Sequence, residues 1–157
     1  MEHLDEFLRA LPLFRSFSRI ELKQLIKKSD LKTFVPQEVI IHFGQPGRFL
    51  GIICDGVAEA VITGKTGDRQ RLGLLKQGDF LGEMSLLTGE PTNADVIALE
   101  SCQVFLIPQE TFSAFLAVNA EAVRIMARTI TERLKSRQQN GEAQARAEDA
   151  WRSVPDP

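Results

Sequence analysis

The residues that could most clearly form a binding site lie between Gly78 and Val96. The order of residue types predicts a strand end, a turn at Gly82 and one helical turn from about Glu83 to Leu87. Backbone N–H groups at the start of such a turn have no helical partner, so they can form an anion nest of the kind used for phosphate. Gly82 would let a ligand approach the main chain closely. A plain structural connection has the same pattern, so the spacing alone does not establish a binding site.

The segment belongs to a longer region, residues 31–108, that consists of short runs of β-branched and large apolar residues. Turn-forming residues interrupt these runs about every ten residues, at positions such as Pro46-Gly47, Asp55-Gly56 and Gly78-Asp79. Such spacing is typical of an all-β sandwich, barrel or jelly roll. We therefore predict a mainly β fold, an antiparallel β-roll or jelly roll of about eight strands, with N-terminal helices and a C-terminal lid helix.

Helical periodicity flanks the β region on both sides. Ser18 and Glu21 form a capping-box pattern, which predicts a helix from about Arg19 to Lys28. Asn119 can cap a longer helix with an apolar side that carries Val123, Met126, Ala127, Ile130 and Leu134. Such a two-sided helix either lies on its own domain or pairs with a second copy, and a homodimer through residues 119–138 is the alternative that stays open.

These patterns define one domain in residues 1–138, with helices at 3–29, the β-roll at 31–108 and C-terminal helices at 109–138. Asn140-Gly141 predicts a helix stop, and residues 139–157 are expected to form a flexible tail or linker. The end of the sequence at Pro155-Asp156-Pro157 would suit a module of a longer chain with an effector domain beyond the tail.

Charge and composition indicate which classes of partner this chain is expected to have. The formal net charge of −2 argues against nucleic acid, because domains that neutralise phosphate backbones carry a basic excess. Apolar runs are too short for a membrane span, and the N-terminus lacks the regions of a secretory signal, so the cytoplasm is the expected location. Cys54 and Cys102 lie far apart in apolar runs, where two buried, reduced thiols are expected.

An enzymatic reading finds little support. A metal-dependent β-roll enzyme needs histidines and carboxylates that converge inside the roll, and the sequence has only His3 and His42. No set of nucleophile, base and orienting residue stands out either. We expect a domain that is not an enzyme and that needs no metal or cofactor.

The segment around Gly82 resembles the phosphate-binding cassette of the cyclic nucleotide-binding domain family, with its approximate pattern F-G-E-x-[SA]-L-L-x-x-x-P-R-x-A-x-V. The matching positions are Gly82, Glu83, Ser85, Leu86, Leu87, Pro91, Ala94 and Val96. Residues 36–41, 45–47 and 50–57 also resemble the family's strand and turn motifs, in the same order. The resemblance covers about residues 4–138.

The resemblance implies a sensor that holds a cyclic nucleotide, cAMP or cGMP, and relays its presence through the closing helix. By the resemblance, Glu83 bonds the ribose 2′-hydroxyl, and backbone amides near Met84 and Ser85 hold the phosphate. The expected ligand-binding residues are Leu81, Gly82, Glu83, Met84, Ser85, Thr92, Asn93 and Asp95.

The sequence departs from the family pattern at Thr92, which stands where the family has an arginine. Loss of a charge-assisted hydrogen bond of about 1.5–3 kcal/mol would weaken phosphate binding about ten- to a hundredfold. Asn93 and Asp95 should share a strand face, so Asp95 would add negative charge to the pocket. A replacement cation could come from Arg48, Arg69 or Arg71.

Two functions therefore stay open. One is a regulatory module that still senses a cyclic nucleotide. The other is a degenerate domain that has lost its ligand and serves as a protein interaction or dimerisation module.

Overall fold

The N-terminal part of the chain forms helices. The computed structural model describes residues 3–152, with side chains described for residues 3–136. Helix α1 (Leu4–Ala10) is followed by a 3₁₀ turn (Pro12–Phe14) and helix α2 (Arg19–Lys27). The predicted capping box is confirmed: the Glu21 amide donates to Ser18 Oγ, and the Ser18 amide donates to Glu21 Oε1, each at 3.1 Å. These bonds satisfy two amides that the first helical turn leaves without partners.

The central region forms two four-stranded antiparallel sheets, as the alternation of short apolar runs and turns predicted. One sheet has the order β1-β8-β3-β6 and the other β2-β7-β4-β5. The strands are β1 (Asp30–Phe34), β2 (Val39–Ile41), β3 (Phe49–Asp55), β4 (Ala58–Thr63), β5 (Arg69–Leu75), β6 (Phe80–Leu81), β7 (Asp95–Ala98) and β8 (Cys102–Pro108). The antiparallel β-roll is thus confirmed.

Three helices complete the fold: α3 (Glu83–Thr88), α4 (Gln109–Thr111), which continues into a π-helical turn (Phe112–Leu116), and α5 (Ala120–Arg152). Asn119 caps α5 as predicted, because its Oδ1 accepts the Ala122 amide at 2.9 Å. A helix stop was expected at Asn140-Gly141, but α5 passes Gly141 and continues to Arg152. Helix formers such as Ala, Glu, Gln and Arg surround Gly141, and one glycine costs a helix interior only about 1 kcal/mol.

Two apolar cores hold these elements together. The first lies between the two sheets and includes Ile53, Leu81 and Val104. The second joins the outer face of the β1-β8-β3-β6 sheet to the helices, and Leu50 and Met126 are both fully buried there. Helix α5 therefore packs on its own domain through its first turns, which fixes where its later turns lie.

Cys54 and Cys102 are free thiols and both are buried, as expected. Burial raises the pKa of the Cys54 thiol to about 11, so the thiol is neutral at physiological pH. Both cysteines act as small apolar core residues. Among the described helices, none combines the length and the apolar character that crossing a bilayer requires.

Candidate functional site

A cavity of about 600 Å³ lies between one sheet, the segment around α3 and the later turns of α5. Its volume falls in the range of small-molecule sites, roughly 300–1,000 Å³. Strands β4, β5 and β7 form the floor with Ala60, Gly73, Leu75 and Val96. The residues that follow α3 form one wall, and α5 forms the roof with Thr129, Ile130, Glu132, Arg133, Leu134 and Ser136.

Helix α3 starts where a glycine allows the chain to turn beneath the cavity. Gly82 has φ +85°, a left-handed conformation that favours glycine. A Cβ atom on Gly82 would lie 2.8 Å from the carbonyl oxygen of Phe49 on β3. Gly82 therefore allows close contact between α3 and β3, and it is not among the residues that line the cavity.

Glu83, the expected ribose contact, is the most buried charged residue of this region, with 4% of its surface exposed. Arg133 of α5 reaches down to it, and Arg133 Nη1 donates to Glu83 Oε1. The second nitrogen, Arg133 Nη2, donates to the carbonyl oxygen of Phe80 at 2.5 Å. The guanidinium also lies 5.3 Å from the centre of the Phe80 ring. One α5 side chain thus holds three groups of the β6–α3 segment.

Arg133 was not among the predicted site residues, because only apolar residues were expected on the inner side of α5. The inward side of α5 carries Met126, Ile130 and Arg133, which follow the i, i+4, i+7 spacing of one helical face. Ala127 and Leu134, expected on the apolar side, are exposed. The sequence contains one indication that Arg133 faces inward: it lies seven residues after Met126, which was expected on the apolar side of the helix.

Thr92 lines the cavity, but its hydroxyl is used by the neighbouring loop. Thr92 Oγ1 donates to the carbonyl oxygen of His42 at 2.5 Å and accepts the amide of Gln45 at 3.0 Å. A hydroxyl has a single proton to donate, so this bond leaves Thr92 without a donor for a ligand oxygen. Thr92 ties the β2–β3 loop to the segment that precedes β7.

Asp95 and Asn93 do not share an environment, which corrects the expectation drawn from strand alternation. Asn93 lines the cavity, and its Nδ2 lies 3.2 Å from the sulfur of Met84. Asp95 lies outside the lining, and its Oδ1 accepts the amide of Phe43 at 2.8 Å. Strand β7 begins only at Asp95, so the period-two rule does not extend back to Asn93. Asp95 was expected to add negative charge to the cavity, but it lies outside the lining.

The remaining expected ligand residues, Leu81, Met84 and Ser85, all line the cavity. Ser85 is buried, and its Oγ donates to the carbonyl oxygen of Glu90 at 2.5 Å. This bond closes the turn after α3 and also uses the only proton of the hydroxyl. The structure thus brings together Leu81, Met84, Ser85, Thr92 and Asn93, and leaves Gly82, Glu83 and Asp95 behind or beside the lining.

The charges around the cavity are mostly negative. Asp79, Glu90 and Glu132 contribute to the lining, whereas Arg133 is the one lysine or arginine among the lining residues of the described chain. Arg48, Arg69 and Arg71, the candidate replacement cations, are exposed and do not line it; Arg71 pairs with Glu59 at 2.8 Å.

Comparison with known proteins now decides the family. The model of the cyclic nucleotide-binding domain matches residues 31–119, which include strands β2 to β8, β1 except its first residue, and α3. The chain belongs to the cyclic nucleotide-binding domain family. As a cyclic nucleotide-binding domain, it is a ligand-sensing regulatory module.

Relatives of this cyclic nucleotide-binding domain are longer proteins, among them cAMP-dependent protein kinase regulatory subunits and potassium channels. The chain is 32% identical over 112 residues to a cAMP-dependent protein kinase regulatory subunit from Hypocrea atroviridis, covering 71% of this chain and 23% of that protein. It thus spans less than a quarter of that relative's length.

Two solved structures share the fold. One is the regulatory subunit of a cAMP-independent protein kinase A from Trypanosoma brucei, with a TM-score of 0.77, 22% identity, and coverage of 90% of this chain and 50% of that chain. The other is the regulatory subunit of a cAMP-independent protein kinase A from Trypanosoma cruzi, bound to guanosine, with a TM-score of 0.76, 24% identity, and coverage of 93% and 50%.

Proposed function

We propose that this domain senses a small nucleotide- or nucleoside-type ligand in the cavity beneath α5 and passes the signal on through that helix. The observation that carries this proposal is the contact of Arg133 with Glu83 and Phe80. By family resemblance Glu83 is the ribose contact, so the group that would read the ligand is the group that holds α5. A ligand hydroxyl that donates to Glu83 in place of Arg133 changes how α5 is held.

The ligand class rests on the family and on the cavity. The relatives' names mention cAMP for the fungal protein and guanosine for one trypanosomal protein, and both molecules contain a purine base and a ribose. The cavity combines an apolar floor, including Leu75 and Val96, with polar groups at Asn93 and Glu132. A flat base over the floor and a ribose near α3 suit this distribution.

The domain in this proposal has no catalytic activity and works in the cytoplasm as part of a regulatory assembly. Its effector is a further domain or a second protein that reads the position of α5. A homodimer through residues 119–138 would place two such helices side by side.

Titration of the protein with adenosine, guanosine, cAMP and cGMP tests the proposal by calorimetry and thermal shift. At least one of the four should bind and raise Tm, because a ligand that binds only the folded state stabilises it. Substitution Ala60→Phe fills the cavity floor and should weaken that binding at least tenfold. Ala114→Phe, at an exposed position away from the cavity, is the matched control. If none of the four ligands binds the folded protein at millimolar concentration, the proposal is wrong.

A further inference from the structure

Three side-chain donors of the lining already make hydrogen bonds within the protein. Ser85 Oγ donates to Glu90, and Thr92 Oγ1 donates to His42. Arg133 gives one nitrogen to Glu83 and the other to Phe80. A phosphate has only acceptor oxygens and must be met by donors. The two hydroxyls have to break internal bonds before they can donate to it, and Arg133, whose guanidinium keeps further N–H groups, shares its charge with Glu83.

The charges of the lining also disfavour a phosphate. Among the described residues, Arg133 is the one lysine or arginine of the lining and it is paired with Glu83, while Asp79, Glu90 and Glu132 contribute acidic side chains. A cyclic phosphate carries a full negative charge, which these side chains repel. The half-buried Asp79 is less screened by solvent than the exposed Glu90 and Glu132. A neutral ligand avoids this repulsion and can donate its hydroxyl and amino protons to the same carboxylates.

We infer that the cavity selects an uncharged nucleoside over the corresponding cyclic nucleotide. This inference rests on the proposed function, since it names the ligand class of the same cavity. Thr92 is the residue that sets the choice. It lines the cavity at the place where the family has an arginine, and it offers neither charge nor a free proton.

Calorimetry on the full chain with two matched ligand pairs tests the inference: guanosine with cGMP, and adenosine with cAMP. In the wild type, at least one nucleoside should bind tenfold or more tightly than its cyclic partner. Thr92→Arg supplies a guanidinium and should shift that ratio toward the cyclic nucleotide by a factor of ten to a hundred.

A charge-matched variant separates a local effect from a general one. Gln70→Arg adds the same charge on the exposed strand β5, at a position outside the lining, and should leave the ratio within twofold of the wild type. If Gln70→Arg shifts the ratio as much as Thr92→Arg, the selection does not reside at Thr92 and the inference is wrong.

The outcomes distinguish the inference from the function on which it rests. Equal or tighter binding of the cyclic nucleotides by the wild type overturns the inference and leaves the sensing function standing. Absence of binding for all four ligands in the wild type overturns both, whatever Thr92→Arg binds. A wild-type preference for a nucleoside that Thr92→Arg reverses supports both.

Discussion

Glu83 is almost fully buried, which is costly for a carboxylate even at the first position of a helix. Burial of a charge is tolerated when a partner of opposite charge and good hydrogen-bond geometry accompanies it. Arg133 is that partner here, although it lies 50 residues away in the sequence. The two residues therefore stabilise each other and should be studied as a pair.

A double-mutant cycle on Glu83→Gln and Arg133→Met measures this coupling. Arg133→Met alone should lower the free energy of unfolding by about 2–4 kcal/mol, because it leaves a buried carboxylate without a partner. The double variant should be more stable than the sum of the single effects predicts, by about 1–3 kcal/mol. Urea denaturation gives all four values.

The exposed pair between Glu121 and Arg124, at 2.6 Å on the first turns of α5, is the control for that cycle. Both side chains are well exposed, so their coupling should be much weaker than that of Glu83 and Arg133. Coupling of the same size in the two cycles would mean that burial does not strengthen the Glu83–Arg133 pair.

Gly82 allows a second residue-scale prediction, because the chain contains a matched glycine. Gly82 and Gly67 have almost the same φ, +85° and +84°, but only Gly82 has backbone within 3 Å of the place of a Cβ atom. Gly67→Ala should cost about 1 kcal/mol through its left-handed conformation alone. Gly82→Ala should cost at least about 1–2 kcal/mol more, because α3 must also move away from Phe49. Chemical denaturation of both variants measures the difference. Equal losses would show that α3 does not need this close approach.

At the scale of elements, most of the fold was predictable because its signals are local. The Ser18–Glu21 capping box and the Asn119 cap depend on residues within three positions of each other. The strands follow from short apolar runs between turns, and α3 from the glycine before it. Such signals do not depend on how the elements pack, so the sequence contains them in full.

The site was less predictable because its contacts join distant parts of the chain. Thr92 and Asp95 were predicted as ligand-binding residues, but their hydrogen-bond partners, His42, Gln45 and Phe43, lie on a loop about 50 residues earlier. Arg133 faces inward because α5 rotates to bury Ala122 and Met126, and helical periodicity alone left that rotation uncertain by one residue. Long-range partners of polar side chains are what one sequence does not provide.

At the scale of the whole molecule, α5 is held at two places of different character. Its first turns are anchored by apolar packing of Ala122 and Met126, both fully buried. Its later turn is held over the cavity through Arg133, while Leu134 beside it is about half exposed. Apolar anchoring does not involve the cavity, whereas in the proposed function the Arg133 contact would compete with a ligand for Glu83. The later turns are therefore the part of α5 that can respond.

Hydrogen exchange measured by mass spectrometry tests this division, with the ligand that binds most tightly among adenosine, guanosine, cAMP and cGMP. Saturation should slow exchange in strands β5 and β7, which lie under the ligand, and speed it in residues 129–136, because Arg133 loses its hold on Glu83. In Arg133→Met, residues 129–136 should exchange fast without ligand, and saturation should not raise their exchange rate further. Exchange in strands β5 and β7 should still slow on saturation. Residues 120–126 should stay protected throughout, since their packing does not involve the cavity. Slower exchange in the strands with no change in 129–136 of the wild type would mean that occupancy does not reach α5 through this contact.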